Sequence, residues 1–195
     1  MFLFKIKNIR ISVDVGFLTV LAAISLTGGR LSGYSFAACI IHELGHLMQI
    51  YISGDNVKSV AFNVSGIKIV RNENRLNSFY SDMAVLLSGP MANIAIALFL
   101  LILNQGCFTS FIAVNIVLGI FNLLPFGSLD GGSVLKLLVY NCFSPDRSRS
   151  ILCFLRFFNL CLCVLAACLW WFSGIGNISI PIMIVYLFIT ELTFR

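Results

Sequence analysis

Charged side chains are scarce in this sequence. They make up 11% of its 195 residues, whereas hydrophobic residues make up 59%. A soluble globular domain usually carries about a quarter charged residues. The composition therefore excludes an ordinary water-soluble domain, and we expect an integral membrane protein.

Cysteine pairs and a leader cleavage site are missing as well. None of the seven cysteines forms a CxxC pair, and the three cysteines within residues 161–168 are typical of small apolar filler in a helix. Basic residues precede the first apolar run, as in a signal peptide, but no convincing small-x-small cleavage site occurs before Thr27. The sequence thus predicts no disulfide framework, and we expect an uncleaved first span.

Long apolar runs are abundant. A transmembrane helix needs about 20 mostly apolar residues. We predict six spans, at residues 12–28, 34–53, 79–103, 107–125, 151–173 and 178–194. Because the spans fill most of the chain, the prediction is an α-helical integral membrane protein with one domain over residues 1–195.

Lysine and arginine are unevenly distributed between the two sides of these spans. The side of the two termini carries Lys5, Lys7, Arg10, Lys58, Lys68, Arg71, Arg75, Lys136, Arg147, Arg149 and Arg195. The other side carries Arg30, and Arg156 lies just inside the fifth span. The positive-inside rule then places both termini on the cytoplasmic side of the membrane. We attribute the net charge of +5 to this topology and to the lipid bilayer, and expect no nucleic-acid partner.

Residues 57–70 differ from the apolar runs. Apolar residues alternate with smaller or polar ones on both sides of a Ser65-Gly66 turn. This pattern predicts a small membrane-associated β-hairpin on the cytoplasmic side. The hairpin could be an ordinary surface feature. Its functional interpretation is a sheet edge that binds an extended substrate by strand addition.

Both histidines of the chain occur in one segment, His42-Glu43-Leu44-Gly45-His46, inside the second span. Helix residues four positions apart lie on one face, so both imidazoles can bind the same metal ion. Glu43 would then reach a water molecule at that ion as a base, which is the pattern of a zinc hydrolase. Ionisable groups inside a span are costly and usually functional. The alternative is a pair of structural histidines bonded to backbone groups.

A hydrolytic zinc ion needs a third protein ligand, and the sequence has no third histidine. Glu191 lies near a span boundary, and the other acidic residues considered lie near span ends or in loops: Asp14, Asp55, Glu73, Asp82 and Asp146. Asp130 differs because it follows a helix broken at Pro125 and precedes Gly131 and Gly132, where the backbone can turn sharply. We predict Asp130 as the third ligand of one zinc ion per chain.

Three segments together resemble the motif set of the site-2 proteases, which are intramembrane zinc metalloproteases. They are HELGH at 42–46, SGPMAN at 88–93 and NLLPFGSLDGG at 122–132. The six-span layout and the short hairpin resemble most the sporulation branch of that family, stage IV sporulation protein FB. The likeness extends over nearly the whole chain.

This resemblance implies that His42, His46 and Asp130 bind zinc and that Glu43 is the catalytic base. It also implies that Asn122 binds the substrate or its developing oxyanion, and that Asn93 is structural. The implied activity is hydrolysis of peptide bonds in or near transmembrane segments of membrane-tethered protein substrates. Pro-sigma-factor processing in sporulation and an inhibitory membrane partner belong to the same expectation.

The chain departs from the sporulation branch at two points. Ser128 stands where those members usually carry a proline, so we expect a looser loop that retains its ligand. Those members also continue into a CBS domain, and we expect neither a CBS nor a PDZ domain in this chain.

Two other function classes fit part of the pattern. HtpX-like zinc proteases also carry HExxH near a membrane, but they take a glutamate on a later helix as third ligand, and no such segment is evident. A metal transporter or metal-binding scaffold should spread its ligands over several spans. Here the ligands cluster in two segments with a base adjacent, which favours the protease.

Overall fold

The protein is represented by a computed structural model that describes residues 2–6, 9–13, 29–54, 57–63, 66–71, 79–103, 108–127, 129–173 and 179–193. The chain divides into two compact units, Met1–Ile120 and Phe121–Arg195. Most of the predicted first span, residues 14–28, lies outside the described residues. Ser128 lies outside them too, so the looser loop expected there stays a prediction.

The first unit contains a four-stranded sheet in the order β1-β2-β3-β4. Its strands are β1 (Phe2–Ile6), β2 (Ile9–Val13), β3 (Val57–Asn63) and β4 (Gly66–Arg71). Strand β2 pairs antiparallel with β1 and parallel with β3, and β3 pairs antiparallel with β4. Strands β3 and β4 occupy the segment for which a hairpin was predicted.

Strands β1 and β2 were not predicted. Residues 12–13, assigned to the first span, belong to β2 instead. The segment IRISV alternates β-branched and polar residues with a period of two, which favours a strand over a helix. Strand β3 is therefore paired on both sides, and the outer edges of the sheet are β1 and β4.

The first unit also contains the helices α1 (Arg30–Ile52) and α2 (Phe79–Ile102). It contains all of α3 (Thr109–Asn122) except the last two residues, which belong to the second unit. Helices α1 and α2 approach each other closely at Gly45, where an added Cβ would lie 2.6 Å from the carbonyl oxygen of Ser88 and 2.8 Å from Cβ of Ala92. Small residues permit such an approach between helix backbones. This contact aligns the HELGH segment of α1 with the SGPMAN segment of α2.

The second unit contains α4 (Asp130–Cys142), α5 (Pro145–Ser173) and α6 (Ser179–Thr193). Its apolar core consists of Phe126, Leu129, Cys163, Ile184 and Leu187. Helix α4 was not predicted, because the glycine pair and the polar residues of its segment gave no long apolar run. Helix α5 begins before the predicted span, with a proline at its first position, where the missing N–H costs nothing.

Two of the described helices, α2 and α5, are long and apolar enough to cross a bilayer. Helices α3 and α6 are apolar but shorter, at 14 and 15 residues. Large apolar side chains face outward, with exposed fractions of 57% for Phe99, 66% for Phe157 and 85% for Phe172. Soluble monomers rarely expose such surfaces. The structure thus supports association with a membrane, while the six-span topology stays a prediction.

Candidate metal centre

His42 and His46 lie one helical turn apart on α1, as HExxH spacing requires. Their ring centroids are 4.8 Å apart, and their Nε2 atoms are separated by 3.2 Å. His42 is buried, with 7% of its surface exposed, and His46 is half-buried. Two imidazole nitrogens thus converge at one point.

The tautomer of His42 follows from its contact with Asn93 of α2. Nδ1 of His42 lies 3.0 Å from Oδ1 of Asn93, and the amide nitrogen of Asn93 donates to the carbonyl oxygen of Ala38 at 2.9 Å. Because that carbonyl can only accept, the amide orientation of Asn93 is determined. Nδ1–H of His42 therefore donates to Asn93, and Nε2 carries a lone pair.

Asn115 of α3 extends this network. The amide nitrogen of Asn93 also donates to Oδ1 of Asn115 at 2.9 Å, and the amide nitrogen of Asn115 donates to the carbonyl oxygen of Phe111 at 2.9 Å. Asn93 and Asn115 are both fully buried. Three helices thus contribute to the orientation of one imidazole.

The tautomer of His46 is determined in the same way. Its Nδ1 lies 2.7 Å from the carbonyl oxygen of Val85, which can only accept a hydrogen bond. The hydroxyl of Ser88 also donates to that oxygen, at 2.7 Å. Nδ1–H of His46 is therefore the donor, and its Nε2 also carries a lone pair.

If both rings are neutral, the two Nε2 atoms present lone pairs to each other at 3.2 Å, an arrangement that repels. A cation bound by both nitrogens removes the repulsion, and a neutral imidazole with its other N–H hydrogen-bonded is the usual form of a zinc-binding histidine. Gly89 leaves space beside them, since an added Cβ would overlap Nε2 of His46 and lie 2.9 Å from Cε1 of His42. The residues of the first unit therefore fit a zinc ion.

The remaining predicted site residues divide between the two units. Glu43 follows His42 on α1 and is half-buried. Asp130 is the first residue of α4, and Asn122 is the last residue of α3. The first unit thus contains the two histidines and Glu43, and the second contains Asn122 and Asp130.

Two glycines shape the turn at Asp130. An added Cβ at Gly131 would overlap the carbonyl oxygen of Leu123 and lie 2.6 Å from that of Leu124. An added Cβ at Gly132 would overlap the carbonyl oxygen of Phe126. The backbone before Asp130 therefore packs directly on the first turn of α4, which is possible only with glycine at both positions.

Glu191 differs from expectation. The prediction assigned it to a span boundary where water would solvate it, but it is 4% exposed and accepts a hydrogen bond from the backbone N–H of Gly127 at 2.9 Å. Asn115 and Asn159 were not identified from the sequence. The sequence did offer a signal for both residues, because an amide side chain inside an apolar helix needs a specific partner.

Three comparisons with known proteins bear on this arrangement. Residues 105–166 match Peptidase family M50. A Synechocystis sp. protein assigned by name to the zinc metalloproteases is 32% identical over 127 residues, which cover 60% of this chain and 33% of that protein. Stage IV sporulation protein FB of Bacillus subtilis is 26% identical over 187 residues, which cover 92% of this chain and 63% of that protein. The chain thus spans less than two thirds of either relative.

A solved structure has the same fold. The site-2 protease from Methanocaldococcus jannaschii superimposes with a TM-score of 0.69 at 20% sequence identity, over 98% of this chain and 93% of that one. The likeness of fold agrees with the family match and with the two relatives.

Proposed function

Since these comparisons confirm the resemblance to the site-2 proteases, we propose that this chain is an intramembrane zinc metalloendopeptidase. The observation that carries the proposal is the pair of Nε2 lone pairs on His42 and His46, 3.2 Å apart, with both Nδ1 atoms engaged elsewhere. In neutral imidazoles held this way both Nε2 atoms are acceptors, and one cation can bind to both.

We assign Asp130 as the third ligand of one zinc ion per chain and Asn122 as a substrate-binding residue. Both lie within the segment that matches Peptidase family M50. Zinc would supply a Lewis acid that polarises the scissile carbonyl and makes water a stronger acid. Glu43 accepts the proton of the attacking water and passes it to the leaving amine. The amide of Asn122 donates a hydrogen bond to the developing oxyanion.

The substrate is a transmembrane or membrane-tethered protein. A transmembrane helix hides its peptide bonds, so the cleaved segment must be extended, and its amides then need new hydrogen-bond partners. Pairing with the outer edge of β4 supplies them. Strand β3, which the sequence also suggested, has no outer edge to offer.

The enzyme lies in a bacterial cell membrane with six spans and both termini in the cytoplasm, as the lysine and arginine distribution indicates. The likeness to stage IV sporulation protein FB supports a role in sporulation, with a membrane-tethered pro-sigma factor as substrate. An inhibitory membrane partner would regulate it. The test of the substrate is co-expression with tagged candidates.

Glu43→Gln is the decisive variant for the mechanism. Gln keeps the shape of the side chain but cannot accept the proton, so zinc content should stay near one per chain while cleavage of a membrane-tethered substrate falls below detection. Zinc would be quantified by elemental analysis of protein purified in detergent. Persistent cleavage by the variant would show that Glu43 is not the base.

Asp130→Ala should behave differently, because it removes a ligand. Zinc affinity and cleavage should both be lost, and a chelator should inactivate the wild type reversibly. If Asp130→Ala retains zinc as tightly as Glu43→Gln, Asp130 is not a ligand and the assigned site is wrong.

The strand-addition proposal needs its own test. Along an edge strand, N–H groups point alternately to the neighbouring strand and outward, so Lys68→Pro and Ile69→Pro remove N–H groups on opposite sides. The variant that loses the outward N–H should keep the fold and zinc while cleavage slows. Unchanged cleavage by both folded variants would contradict pairing at β4.

A further inference from the structure

We propose that Asn159 and Glu191 are positioning residues that hold the ligand turn, residues 123–127, and thereby the carboxylate of Asp130 that follows it. The inference rests on the proposed function, since it takes Asp130 to be a metal ligand. All the contacts that carry it lie within the second unit.

The two side chains bind the backbone on both sides of Phe126. The amide nitrogen of Asn159 donates to the carbonyl oxygen of Pro125 at 2.7 Å. Glu191 accepts from the N–H of Gly127 through Oε2 at 2.9 Å, and its Oε1 accepts from the amide of Asn159 at 3.3 Å. One residue from α5 and one from α6 are thus linked to each other and to the turn.

These contacts replace hydrogen bonds that a continuous helix would make. Within the turn, the N–H of Phe126 donates to the carbonyl oxygen of Leu124, and the N–H of Leu129 to that of Phe126, both at 2.9 Å. The carbonyl of Pro125 and the N–H of Gly127 are bonded instead to the two side chains from α5 and α6. The conformation of the turn is therefore set by Asn159 and Glu191 as well as by the turn's own sequence.

On the side of the turn that faces a cavity, packing alone does not determine the backbone conformation. A cavity of about 310 Å³ borders Pro125 and Gly127, and Asn159 and Glu191 line the same cavity. On the other side, Phe126 lies in the apolar core and Leu124 packs against it. At Pro125 and Gly127, which border the cavity, the polar contacts of Asn159 and Glu191 therefore add to this packing.

Burial of polar side chains is costly, so stability alone does not explain the presence of Asn159 and Glu191. Asn159 is 1% exposed and Glu191 is 4% exposed. A buried polar pair often contributes no more to stability than apolar residues of similar size would. Polar contacts do, however, specify a single backbone conformation. A carboxylate that binds a metal ion requires such a defined conformation.

Basic side chains line the cavity that Glu191 borders. Lys136, Arg149 and Arg156 line the same cavity. The guanidinium of Arg156 donates to the carbonyl oxygen of Leu192, the residue after Glu191. This bond joins α5, which carries Asn159, to the end of α6, which carries Glu191.

The test compares zinc affinity with stability in Asn159→Leu, Glu191→Leu and Glu191→Gln. We expect the two leucine variants to lose roughly 10- to 100-fold in zinc affinity, as removal of outer partners of metal ligands usually does. Glu191→Gln keeps one acceptor for Gly127 and should lose less. Affinity would be measured by competition with a chelator in detergent, and stability by thermal unfolding of the same samples.

Ser148→Ala is the matched control. Ser148 is fully buried in the same unit and donates to the carbonyl oxygens of Val139 and Phe143, far along α4 from the turn. It should lower stability and leave zinc affinity near the wild-type value. If the Asn159 and Glu191 variants lose no more zinc affinity than Ser148→Ala, the positioning role is refuted.

The outcomes separate the two proposals. Retention of zinc by Asp130→Ala would refute the proposed ligand and, with it, the positioning role. Loss of zinc in Asp130→Ala, together with wild-type affinity in Asn159→Leu, would refute the positioning role alone. If Asn159→Leu yields no folded protein, Glu191→Gln decides by the same comparison.

Discussion

His42 and His46 lie within a regular helix, whereas Asp130 is the first residue of α4 and follows an irregular turn. Helix geometry sets the spacing of the two rings, and hydrogen bonds at Nδ1 set their orientation. The position of the Asp130 carboxylate depends on the close contacts of the following glycines and on the hydrogen-bond partners of the backbone before it. The two proposed ligands on α1 thus need support for orientation only, whereas the proposed ligand after the turn needs support for position as well.

Gly89→Ala would disturb the helix-borne pair most. The added Cβ would overlap Nε2 of His46 and lie 2.9 Å from Cε1 of His42, so at least one ring must leave its place. We expect zinc binding to fall by more than about 100-fold, above the usual effect of outer-shell changes. Bound zinc would be measured by elemental analysis after dialysis. Gly33→Ala is the control, because no atom lies within 4 Å of a Cβ added at Gly33. Normal zinc content in Gly89→Ala would contradict the proposed position of the ion.

Gly132→Ala is the corresponding change in the turn. The added Cβ would overlap the carbonyl oxygen of Phe126, a backbone atom that can move only with the whole turn. We expect a loss of about 1–3 kcal/mol in the free energy of unfolding, as for overpacked sites, together with weaker zinc binding. Denaturant unfolding of the purified protein checks the first effect. A variant as stable as the wild type would mean that the turn is more adaptable than its contacts suggest.

Asn93→Ala removes the acceptor that determines the tautomer of His42. Zinc affinity should fall by roughly 10- to 100-fold, while the helices stay folded. Asn93→Asp retains an oxygen for Nδ1–H of His42 but loses the donor to Ala38, so it should lose less affinity. Equal losses in the two variants would indicate that the effect is one of packing and not of imidazole orientation.

Asn115→Ala should have the smallest effect, because Asn115 bonds to Asn93, which in turn contacts the imidazole of His42. Asn93 keeps its bond to Ala38 in this variant and so keeps its orientation. We expect less than about a tenfold loss in zinc affinity, below the usual range for direct partners of ligands. A loss as large as that in Asn93→Ala would show that the network acts as a unit.

The predictability of the fold and the site varied with the regularity of the backbone. Helices α1, α2, α3 and α6 lie where apolar runs were found, because a long apolar run has few alternatives to a helix. Strands β1 and β2 were missed because each is only five residues long, and the last two residues of β2 were assigned to the apolar run that follows. Helix α4 was missed because two glycines follow its first residue, and glycine disfavours a helix.

The sequence by itself determined which residues can carry the chemistry: HExxH spacing on a helix, and an aspartate between a proline-broken helix and a glycine pair. The tertiary structure decided the tautomers of both histidines and the space beside them, through Asn93, Val85 and Gly89. It also brought Glu191 to the ligand turn. These contacts join residues distant in the chain, and hydrogen bonds between packed helices leave no periodic trace in the sequence.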